Sequence, residues 1–195
     1  MASAWSPVLA RPVLADLLPR SLVRDVGLVV GGTLLTAVFA QVVVPLPFSP
    51  VPLSASTFAV LLTAAALGPL RGVLSQGLYL LGGLVGLPFF AGAESGWTYV
   101  SGATGGYIVG YVVAAAVVGA CARRGMDRRA GSTALAFAAG SLAIYACGVP
   151  WLAVAADLSP GAALAAGLWP FLIGDAIKAA LAAAVLPGAW RLVNR

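Results

Sequence analysis

Six apolar runs, parted by short segments that hold nearly every charge, set the limits on how this chain folds. A helix needs about 20 mainly apolar residues to cross the hydrocarbon core of a bilayer. The first run goes from about Asp25 to Pro45, and Pro45, Pro47, Pro50 and Pro52 then turn the chain into an extended segment. The second, Ser56 to Leu67, is short and closes at LGPLRG. The third covers Leu70 to Leu87 and the fourth Thr104 to Ala122. The fifth, Ser132 to Ala156, is expected to be interrupted near Gly148–Pro150, and the sixth runs from Ala162 to Leu186, ending before Pro187.

Charge confirms that these runs belong in lipid. Only 9% of the 195 residues are charged, against roughly 25% in a soluble domain. Arginines cluster in cytoplasmic loops of membrane proteins. With the N-terminus inside, the cytoplasmic segments hold Arg11, Arg20 and Arg24, then Arg71, then Arg123, Arg124, Arg128 and Arg129, then Arg191 and Arg195. These are ten of the 11 basic residues, and the outer loops hold none. The expected fold is therefore an all-α, multi-pass bundle of six spans over residues 24–195, with both termini cytoplasmic. Residues 1–23 form a cytoplasmic or interfacial lead-in. They lack a positive region followed by an apolar one, so no cleaved signal is expected.

Composition also excludes chemistry. The chain has no histidine, and its two cysteines, Cys121 and Cys147, have no metal or redox spacing. There is no P-loop pattern and no clustering of acids at metal-ligand spacing. An enzyme, a resident cofactor or metal, and a nucleic-acid partner are not expected.

Two features stand out against the apolar background. The stretch Gly86–Tyr111, GLPFFAGAESGWTYVSGATGGYIVGY, carries seven glycines, interleaved aromatics and Glu94, the only acid between Asp25 and Asp127. Irregular backbone at membrane depth must be buried in protein or line a cavity; a plain interfacial connector fits the composition equally well. The second feature is Asp175 and Lys178 inside the last run. At ~1.5 Å per residue, Asp175 lies roughly 20 Å into that run. Three residues apart, the two share a helix face and can pair. A mutually neutralising pair with no ligand is one reading. A binding site for a small solute with both donors and acceptors is the stronger one, because a useless buried pair is readily replaced by apolar residues. A stripe of small residues, Gly32, Thr36 and Ala40, lets another helix approach the first run, from within the chain or from a partner.

The ordered set VPLSASTF (51–58), LGPLRG (67–72), Gln76-Gly77-Leu78-Tyr79, GLVGLPFFAG (83–92), GATGGYIVGY (102–111) and GDAIK (174–178) resembles the BioY family. That family comprises the biotin-specific substrate-binding subunits of energy-coupling-factor transporters. The resemblance runs from about residue 28 to residue 190. It implies a six-helix bundle in the cell membrane with an outward-facing pocket closed by the loops after the first and third helices. It assigns biotin contacts to Asp175 and Lys178, and a surrounding wall to Ser56, Tyr79, Phe89, Phe90, Gly92, Thr104 and Tyr107. It implies that Gly32, Thr36 and Ala40 dock a transmembrane coupling subunit driven by two ATPase subunits. The chain departs from the family where Ser56 replaces a glutamine, Ala103 a proline and Ala93 a glycine. The competing function is a stand-alone proton- or ion-coupled carrier, which the lack of an inverted repeat disfavours.

Overall fold

The computed structural model describes residues 11–193, which are almost entirely helical. Its helices are α1 (Leu22–Ala40), α2 (Ser56–Leu67), α3 (Pro69–Leu84), α4 (Gly96–Ser101), α5 (Gly105–Arg123), α6 (Ala130–Ala155), α7 (Pro160–Gly167) and α8 (Leu172–Val193). A two-residue hairpin, β1 (Val43–Val44) with β2 (Leu53–Ser54), forms from the proline-rich segment after α1. Four helical stretches are long and apolar enough to cross a membrane: Leu22–Ala40, Gly105–Arg123, Ala130–Ala155 and Pro160–Val193. The second and third runs make helices of 12 and 16 residues. Gly68, at φ +81°, and Pro69 in the first turn of α3 separate them.

The outer surface is apolar. Val154 is 86% exposed, Val85 80% and Ile173 76%, whereas Thr36, Ser75 and Gln76 are fully buried. Apolar outside and polar inside is the distribution of a membrane protein. At the centre, α5 packs against α2, α3 and α6. Its small residues allow this. A Cβ on Gly106 would lie 2.3 Å from Trp151 Cβ, and one on Gly110 2.9 Å from Ile144 Cα. Gly32, Thr36 and Ala40 are likewise turned inward: Gly32 meets Thr63 and Ser75, and Gln76 Nε2 donates to Thr36 Oγ1 (3.2 Å). The stripe packs α1 on α2 and α3.

Prolines correct the expected breaks. The fifth run is not interrupted: α6 passes through Pro150. The sixth run is not one helix ending before Pro187. It breaks at Leu168–Phe171, where Leu168 leaves helical geometry and Pro170 supplies no N–H. α8 then continues through the buried Pro187 to Val193. Trp190 holds that last turn in place: its indole N–H donates to Asp127 Oδ2 (2.5 Å), and the Arg128 guanidinium lies 4.2 Å from its ring centroid. Burial raises the Asp127 carboxyl above its ordinary value, and the Trp190 hydrogen bond opposes this only in part.

The lead-in expected over 1–23 is described from Arg11 onward and lies against the bundle. Val13 and Ala15 are buried, and Asp16 bridges Arg71 (3.0 Å) and Arg123 (2.7 Å). Burial pushes the Asp16 carboxyl up, but the Arg71 hydrogen bond, the Val13 N–H and the two guanidinium charges outweigh it and hold it below 3.8. This cluster clamps the start of α3 to the end of α5. Residues 1–10 and 194–195, Arg195 among them, lie outside the described residues.

Candidate functional site

The helices enclose a narrow cavity with about 50 Å³ of free space as it stands. Each helix offers it one face. Tyr107, Ile108 and Tyr111 come from α5; Ser141, Ile144 and Tyr145 from α6; Asp175 and Lys178 from α8. These are the spacings that share a helix face. Ser54, Ser56 and Thr57 come from β2 and the start of α2, Tyr79 from α3 and Tyr99 from α4. The tyrosine rings narrow its interior.

The break before α8 puts Asp175 in the first turn of a helix, not roughly 20 Å into a continuous one. There the positive end of the helix dipole favours its charge. Two donors hold the carboxylate: Tyr145 O–H on Oδ2 and Lys178 Nζ on Oδ1 at 3.4 Å. Lys178 Nζ also donates to Thr57 Oγ1 (2.6 Å) and the Ser54 carbonyl (3.1 Å). The two side chains are 15% and 14% exposed, so they are largely buried yet reachable from the cavity. Beside them, Ser56 Oγ and the Tyr111 hydroxyl share a hydrogen bond of 2.8 Å. Tyr107 lies between Gly148 and Gly167, and its hydroxyl donates to the Gly167 carbonyl (2.8 Å). The arrangement offers one anionic acceptor, several hydroxyls and aromatic faces. That suits reversible capture of a small polar solute.

Of the nine residues expected to bind the solute, Ser56, Tyr79, Thr104, Tyr107, Asp175 and Lys178 line the cavity. Phe89, Phe90 and Gly92 do not, which corrects the expected wall. Phe89 stacks on Tyr79 (ring centroids 6.2 Å apart), and Phe90 packs edge-on to Tyr79 (5.6 Å) and flat on Tyr99 (5.2 Å). Phe90 is fully buried over Gly83. Both phenylalanines therefore support the wall from behind. Gly92, at φ +74°, makes an exposed turn with Ala93, at φ +64°. An alanine in the left-handed region is unfavourable by about 1–2 kcal/mol. Tyr99, Tyr111, Tyr145, Ser54 and Thr57 went unpredicted. Tyr145 is the one tyrosine of the fifth apolar run, but its partner lies 30 residues away.

A helical membrane protein with a small-ligand pocket between its helices is the class that this fold and cavity define. Comparison with known proteins narrows the class. Residues 10–195 match the model of the BioY family, and the chain belongs to that family. It is 37% identical over 159 residues to a probable biotin transporter BioY of Pyrococcus horikoshii, covering 82% of this chain and 91% of the relative. It is 35% identical over 144 residues to the biotin transporter BioY of Thermotoga maritima, covering 73% and 82%. Its fold matches the crystal structure of the S-component for biotin from an ECF-type ABC transporter, with a TM-score of 0.78 and 22% identity over 91% of this chain and 96% of that one.

Proposed function

We propose that this protein is the membrane-embedded biotin-binding subunit of a vitamin uptake transporter. It captures biotin from outside for ATP-driven import by a transmembrane coupling subunit and two ATPase subunits. The observation that carries this reading is the Asp175–Lys178–Tyr145 cluster in a tyrosine-lined cavity, within a chain of the BioY family. Biotin has a ureido ring with two N–H donors and one carbonyl. Asp175 accepts from a ureido N–H, and an ammonium or hydroxyl donor meets the carbonyl. The tyrosine faces cover the thiophane ring. No bond is made or broken, so the site needs geometry and donors alone.

The membrane is the cell membrane, crossed six times with both termini cytoplasmic. The arginine distribution supports this orientation, with α2 and α3 as shorter spans. In intact cells, with Cys121 and Cys147 replaced, a cysteine at Glu94 reacts with an impermeant reagent and one at Met126 does not. The reverse labelling pattern overturns the orientation.

The function is checked by titrating the purified full-length protein with biotin, desthiobiotin and thiamine in a calorimeter. Biotin and desthiobiotin, which share the ureido group, bind; thiamine does not. A protein that binds thiamine and ignores biotin removes this reading.

A further inference from the structure

A second, outer cavity of about 340 Å³, wide open at its mouth, adjoins the first. The two share walls at Pro52, Ala91, Tyr99 and Thr104. Glu94 lines the outer cavity, and among the described residues no lysine or arginine does. Among the same residues the inner cavity has a single cation, Lys178. An ammonium has three donors, and all three of this one are in use, on Ser54, Thr57 and Asp175. A ligand carboxylate brought to Lys178 would also lie beside the Asp175 carboxylate, and like charges at such separation oppose each other. Asp175 instead demands an N–H donor.

We propose that the ligand sits with its ureido head at Asp175 and its acid-bearing tail trailing into the outer cavity, where hydroxyls of Thr98, Tyr99 and Thr104 serve an amide as well as an acid and no cation among the described residues pairs with a carboxylate. This rests on biotin being the ligand. The protein is then a receptor for the bicyclic head, and biotin with a neutralised acid, as the primary amide or methyl ester, belongs to its substrate class. Glu94 sharpens the preference. It places a negative charge on the path of an anionic tail, in water, where the interaction is weak but unscreened at low salt.

Calorimetric titration of the full-length protein with biotin and biotinamide tests this. Biotinamide binds as tightly as biotin or more tightly. Glu94→Gln tightens biotin about two- to five-fold at low salt and leaves biotinamide unchanged, and the gain vanishes near molar salt, as screening requires. Biotinamide binding more than about three-fold weaker than biotin overturns the proposal while leaving the biotin reading intact. So does a Glu94→Gln variant that shifts both ligands equally. Failure of both ligands to bind the wild-type protein removes the biotin reading, and this inference with it.

Discussion

Asp175→Ala and Lys178→Ala each lose most of the biotin affinity while the protein stays folded. Asp175 is the one anionic acceptor in the cavity, and a hydrogen bond to a charged group contributes about 1.5–3 kcal/mol. Its loss weakens biotin by roughly 10- to 150-fold. Lys178→Ala acts in two ways. It frees the Thr57 hydroxyl and the Ser54 carbonyl that Lys178 holds at the cavity wall, and it leaves Asp175 held by Tyr145 alone. Removing one partner of a fully buried pair is strongly destabilising. Here both side chains keep some exposure, 15% and 14%, so water compensates part of that loss and the fold survives. Titration of both variants, with melting curves alongside, checks the expectation. If both variants hold biotin within about three-fold of wild type, the assignment of these two residues is wrong.

A large effect on stability comes from Gly119. A Cβ there would lie 2.4 Å from Pro69 N, 2.5 Å from Pro69 Cα and 2.6 Å from Gly68 C. All three are backbone atoms. Pro69 is fixed in φ and Gly68 is already in the left-handed turn that joins α2 to α3, so neither yields easily. Gly119→Ala must push α3 away from α5, which costs about 1–3 kcal/mol as overpacking does elsewhere. The melting temperature of the purified protein falls by roughly 5–10 °C. Gly77→Ala is the control, since nothing lies within 4 Å of that position and alanine is the better helix former. Equal melting temperatures for the two variants would show that the α3–α5 contact is not tight.

Hydropathy and charge placement are properties that each segment carries by itself. That is why the apolar runs, the arginine partition and the membrane character could be read before any contact was known. The order of motifs along the chain was enough for the family. Asp175 and Lys178 declared themselves for the same reason: two charges in an apolar run stand out locally. The prolines could not be read this way. Pro150 and Pro187 lie inside helices and Pro170 lies in a break. What separates them is tertiary: α8 is held past Pro187 by Trp190 on Asp127.

The aromatic wall divides along the same line. From sequence, Phe89 and Phe90 looked as suitable for a ligand as Tyr99, Tyr111 or Tyr145. Which rings face a cavity depends on how α3, α5, α6 and α8 are rotated against one another, and that rotation is set by close contacts such as those at Gly83, Gly106 and Gly110. The chain alone therefore determined that this protein lives in a membrane, in which family it belongs, and which two charges lie at its centre. Only the tertiary structure placed Asp175 at the start of a helix, gave it Tyr145 as a partner and turned the phenylalanines to the back of the wall. A hydrogen bond across 30 residues and the facing of a ring are set by packed neighbours, and neither is encoded in any single segment.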